Sequence, residues 1–170
     1  MPTSVVPTST LALAKDALQA IVAKSATFQA RLGTPPVTAA VAQLAIYKTY
    51  LRLAGERAFA GKRPFAIVAN ICEFDYTLFA GGTQNYLEPA GALWLYLTDA
   101  DKYPDDPDAS SVDFENFVGG VMDDLSNLAA VSDNLAISAM QLDMMRQSPA
   151  DQSLSEPPYW ESLVRVLWKS

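Results

Sequence analysis

At Arg63-Pro64 the spacing of apolar residues changes, and one kind of secondary structure cannot serve both sides of that point. Before it, Leu11, Ala14, Leu18, Ile21, Val22, Ser25 and Phe28 recur at three- and four-residue steps, which puts them on one stripe of a helix. After it, Phe65, Ile67, Ala69 and Ile71 alternate with Ala66, Val68, Asn70 and Cys72, the two-residue period of a strand, and Pro64 suits a strand's first position. A chain that opens on helices and continues in strands must bury the helical stripe against the sheet.

The boundaries follow from caps and breakers. Residues 1–8, rich in Pro, Ser and Thr, are expected to be a loose arm. Ser9 or Thr10 caps a first helix that runs to Leu32 and is closed by Gly33 and Pro35-Pro36. A second helix starts near Thr38, carries Val41, Leu44, Ala45, Tyr47, Lys48 and Leu51, and frays towards Gly55 or Gly61. The strand from Phe65 ends at Gly81-Gly82. "GALWLYLTDAD" is a second strand, with Leu93, Leu95 and Leu97 on one face and Trp94 and Tyr96 on the other. A third helix starts near Ser111 as its cap, holds Asp113 and Glu115 in its first turn, and lines up Phe114, Phe117, Val118, Val121, Met122, Leu125 and Leu128. "LAISAMQLDMM" reads as a strand, residues 146–158 as a polar loop closed by prolines, and "YWESLVRVLWKS" as a last strand with Trp160, Val164, Val166 and Trp168 facing one way.

This order predicts a single α+β domain over residues 1–170, with long N-terminal helices and a mixed or antiparallel sheet of about four strands packed against helices. Leu95, Phe117, Val121, Leu125 and Val166 are expected between the sheet and the third helix. Half the residues are hydrophobic and 18% are charged, a balance that excludes wholesale disorder. Charges such as Lys15, Asp16, Lys48 and Arg52 interrupt every apolar run before the ~18 residues that span a bilayer, so no membrane partner is expected. The opening "MPTSVVPTST" has no basic segment of the signal-peptide kind.

The residue inventory narrows the chemistry. The chain has no histidine, which removes Ser-His-Asp and Cys-His catalysis and the usual zinc ligands. Its single cysteine, Cys72, reads as a buried, inert strand residue. "AGG" at 80–82 and "VGG" at 118–120 lack the Lys-Ser/Thr of a phosphate loop. Met140, Met144 and Met145 read as core filling or a pliable interface.

The acids are concentrated. "LTDADKYPDDPDASSVDFENFVGGVMDDL", residues 97–125, holds nine of the nineteen carboxylates. A calcium loop started at Asp99 puts Tyr103 at the fifth position, Pro104 where glycine must turn the chain, and Ser110 where a bidentate glutamate belongs. Asp123 and Asp124 are adjacent on a helix and diverge by about 100°, and Glu73 and Asp75 share a strand face as many solvated residues do. No catalytic, cofactor-binding or metal-ligating residue is therefore predicted, and the chain is read as no enzyme. Asp99, Asp101, Asp105, Asp106 and Asp108 are expected in a solvated loop, where changing all five to asparagine leaves the melting temperature nearly unchanged.

The charge is also split. Residues 1–63 carry eight Lys and Arg against Asp16 and Glu56, a net of +6; residues 64–170 carry four against seventeen acids, a net of −13. Copies of such a chain can meet basic face to acidic face, and unlike patches joined head to tail close into a ring where the rotation allows. The candidate assembly interface is Lys48, Arg52, Arg57, Lys62 and Arg63 on one side and Asp99, Asp101, Asp105, Asp106 and Asp108 on the other.

The succession of a two-helix start, "RPFAIVAN", "GALWLYLTD", "DFENFVGGVMDDL", "LAISAMQLDMM" and "YWESLVRVLW" resembles the tail terminator, or tail-completion, proteins of tailed bacteriophages, and more loosely their neck proteins. The resemblance covers roughly residues 37–170 and lies in the order of parts more than in single residues. It implies a virion protein, assembled in the host cytoplasm, that forms a sixfold ring on the head-proximal end of the tail tube. The partners it implies are further copies of the chain, the tail tube protein and a neck or connector protein, with DNA passing through an acidic lumen and no sequence-specific nucleic-acid contact. It carries over no catalytic residue. Another head-tail connector or minor virion protein, or a carboxylate enzyme using a divalent metal, are the alternatives.

Overall fold

A computed structural model describes residues 9–49, 59, 61–81, 84–128, 136–150, 152 and 155–169, with backbone and strand pairing alone for 72–88. Among the described residues the architecture is α+β: a five-stranded mixed sheet with four helices, the N-terminal helices packing against it. Chain order is α1 (Thr10–Ala23), α2 (Ala26–Leu32), α3 (Ala39–Gln43), β1 (Ile46–Tyr47), β2 (Phe65–Gly81), β3 (Gln84–Ala100), α4 (Pro107–Leu128), β4 (Ala136–Ser148) and β5 (Tyr159–Lys169). The strands lie in the order β1-β2-β3-β5-β4, antiparallel throughout except for β1 alongside β2.

The first predicted helix is two helices. α1 ends at Ala23 with Lys24 as its C-cap, and Ser25 caps α2, accepting the Phe28 N–H at 3.1 Å. Its hydroxyl donates to Asp124 of α4 at 2.7 Å, and the Thr27 N–H donates to the same oxygen at 2.9 Å. A carboxylate ninety-nine residues away thus satisfies the N-terminus of α2, a joint invisible to local periodicity. Gly120 of α4 lies at this crossing, where an added Cβ would meet Thr27 Cγ2 at 2.8 Å and Oγ1 at 2.9 Å. The stripe itself is right: Ala14, Leu18, Ile21, Val22, Ser25 and Phe28 are all buried.

The second predicted helix is only α3, capped by Thr38 through its bond from the Val41 N–H. Ile46 and Tyr47, expected in that helix, instead pair with Ala66 and Ile67 as the fifth strand. The Gln19 side chain of α1 donates to the Ile46 carbonyl at 2.8 Å, so α1 holds this backbone extended. Leu51 and Gly55 lie outside the described residues. The third helix, α4, begins four residues before the expected Ser111: Pro107 occupies its first turn, where its missing N–H is no loss, and Asp106 accepts the Ala109 N–H at 3.1 Å as the cap.

One core lies between sheet and helices. Phe114, Phe117, Val118, Val121 and Leu125 of α4 and Leu18, Ile21 and Val22 of α1 meet Leu93, Leu95 and Leu97 of β3 and Val164, Val166 and Trp168 of β5. All five residues expected at the centre are there. Met140 and Met145 pack on its margin. Across the sheet, Phe59, Phe65, Ile67, Ala69 and Tyr96 form a smaller aromatic cluster, with Phe59 and Phe65 stacked at 5.1 Å.

Candidate functional site

Ten residues were expected to make an assembly surface, and the fold distributes them differently. Asp99 is 2% exposed. It ends β3 under α2, ion-paired with Arg31, with Lys102 at 3.6 Å. Arg31 continues to Asp113 of α4, through Nη1 at 3.0 Å and Nη2 at 2.5 Å, and lies 5.0 Å from the centre of the Phe117 ring. Arg31 thus clamps β3, α2 and α4 at one point. Burial lowers the Arg31 pKa, but its bonds to Asp113 and Asp99 outweigh that and hold it above its usual value. The Arg31 hydrogen bond holds the Asp113 carboxyl below its usual range.

Asp101 is half-buried and also committed. It accepts from the Tyr103 N–H at 3.0 Å, the Ser110 hydroxyl at 2.6 Å and the Gln147 amide at 2.5 Å, while Ser110 accepts the Trp160 indole N–H at 2.7 Å. Asp106 caps α4, and Asp108 sits in its first turn, where the helix dipole favours an anion. Asp105 is exposed. The expected solvated loop is corrected at Asp99 and Asp101, which are held by partners, while Asp105, Asp106 and Asp108 are exposed, Asp106 as the cap of α4 and Asp108 within its first turn.

The basic side is equally divided. Arg63 is half-buried, with its side chain 7% exposed: it donates to Thr98 at 3.0 Å and to Glu156 at 2.6 Å, and its guanidinium stacks 3.6 Å from the Tyr159 ring centre. Glu156, expected in a polar loop, is itself buried and also accepts the Gly61 N–H at 3.0 Å. Lys48 is ion-paired with Asp16. Lys62 is exposed and lies 5.6 Å from the Tyr47 ring centre. Arg52 and Arg57 lie outside the described residues. Arg31 and Arg63 of the basic half are thus bonded to Asp99, Asp113 and Glu156 of the acidic half, so part of the +6/−13 split fastens the N-terminal segment to the sheet.

A second polar cluster escaped the sequence reading. On the face opposite α4, Glu161 accepts the Tyr96 hydroxyl at 2.7 Å and Arg146 Nε at 2.5 Å, with Ser148 at 3.4 Å. Burial, then the bond to Glu161, raises the Tyr96 phenol far above its usual pKa. Tyr96 and Glu161 are sixty-five residues apart, and only the β3–β5 register joins them. Cys72, Glu73 and Asp75 lie where side chains are not described. Among the described residues, no three His, Cys, Asp or Glu side chains converge as a metal site would need.

Between α2 and α4 lies an open depression of about 530 Å³ around Thr27, Arg31, Lys102, Asp113 and Asn116. Its charges largely cancel, since Asp99 and Asp113 take up Arg31. No protein-family model and no curated protein matches this chain.

The sheet supplies a feature that the side chains do not. β5 runs beside β3 only from Ala90 to Ala100, while β2 and β3 stay paired out to Gly81 and Gln84. The six register pairs from Tyr76/Pro89 to Gly81/Gln84 have no third strand beside them among the described residues. At ~3.3 Å per residue this two-stranded arm reaches about 20 Å beyond β5. Its base carries a register shift between Asn70 and Phe74.

Proposed function

We propose that the chain is a structural virion subunit, similar to a phage tail terminator, that forms a ring at the head-proximal end of the tail tube and joins it to the neck. The observation that carries this reading is the β2–β3 arm. A two-stranded ribbon is marginal alone in water, and residues 75–89 include Tyr76, Leu78, Phe79, Tyr86 and Leu87 with only Asp75 and Glu88 charged. An arm of that composition gains stability when another subunit covers it. The order of parts from residue 37 onward and the acidic balance of the sheet half support the same assignment, since a lumen lined by carboxylates repels passing DNA.

The ring would be sixfold, with the tail tube protein below it and a neck or connector protein above. Mass spectrometry of purified particles and electron microscopy of tail tubes mixed with the purified chain test the reading. The chain is expected in the particle in a small fixed copy number, and as a ring on one tube end. Its absence from particles would overturn the proposal.

A further inference from the structure

We draw no further inference here: the strongest candidate, the open depression between α2 and α4 around Thr27, Arg31, Lys102, Asp113 and Asn116, carries nothing, because Asp99 and Asp113 already take up Arg31 and nothing in the structure shows what covers it.

Discussion

The two faces of this sheet are held by different physics. Facing α4 and α1, the sheet offers Leu93, Leu95, Leu97, Val164, Val166 and Trp168 to an apolar helix surface, and volume and water exclusion do the work. On the opposite face, the end near Ala100 is held by directional pairs: Arg63 with Glu156 and Thr98, and Glu161 with Tyr96 and Arg146. A dispersive core tolerates replacement by other shapes of similar volume. A buried polar network does not, because removing one member leaves the other unsatisfied. Damage to the first face should therefore scale with lost volume, and damage to the second with which partner is left behind.

The largest effect should come from Phe117→Ala. Phe117 is 2% exposed and packs between Phe28 and Phe114, so truncation should lower unfolding free energy by about 3–5 kcal/mol. Urea unfolding measures it. A loss under ~1 kcal/mol would mean that the helix face is not held by volume at all.

Asp99→Asn comes next, at about 1.5–3 kcal/mol, the range for a hydrogen bond to a charged partner. Asp105→Asn, six residues further along the chain, should stay within ~0.5 kcal/mol because that residue is exposed. Equal effects at the two positions would erase the distinction between buried and solvated acids in this stretch. Changing all five acids to asparagine should therefore lower the melting temperature, contrary to the expectation from sequence.

The polar face can be probed by a double-mutant cycle. Glu161→Ala alone should destabilise by roughly 1–3 kcal/mol, since it leaves the Tyr96 hydroxyl buried without its acceptor. Adding Tyr96→Phe should recover part of that loss. Strict additivity would show that the two side chains act independently and that this face, too, is held by packing.

Smaller still are the two adjacent glycines of α4. An alanine Cβ at Gly119 meets nothing within 4 Å, so Gly119→Ala should stabilise by up to ~1 kcal/mol through helix propensity. At Gly120 the same change strikes Thr27 at 2.8 Å, and Thr27 is bonded to Asp124, so the sign should reverse. Thermal melts of the two variants should move in opposite directions; a shared direction would mean that α2 can shift away from α4.

Acid supplies the mildest test. For Asp124, burial works to raise the pKa, but bonds from Thr27, Ser25 and Ala26 hold it below its usual value, and the Arg31 bond does the same for Asp113. Both folded values lie below the unfolded ones. Their contribution is therefore complete above the unfolded carboxyl pKa of ~3.9 and is lost as pH falls through the lower folded values. Stability measured from pH 5 downward should decline, and Asp124→Asn should flatten part of that decline. An unchanged slope in the variant would remove Asp124 from the joint.

How far this was legible in the chain can be argued residue by residue. The buried stripe of α4, the alternation of β3 and the inward set on β5 are periodic, and burial follows period directly. The candidate surface was far less legible. Asp99 and Asp105 stand in one acidic stretch of sequence, and nothing local separates the acid that meets Arg31 from the acid that meets water. Glu156 lies among prolines and serines, the composition of a loop, yet ends up beneath Arg63.

From its own order of residues, the chain determined the number of layers and which faces are apolar, because those depend on spacing along a single element. Helix caps belong partly to that class: Asp106-Pro107 is a local signal for the start of α4. Only the tertiary structure decided where the first helix breaks, that Ile46 and Tyr47 become a strand, which charges are consumed within the molecule, and that β2 and β3 outrun β5. Each of these depends on a partner many residues away. Long-range pairs form only once the sheet register has brought the groups together, and their energies are set by mutual distance and burial, which local spacing does not encode.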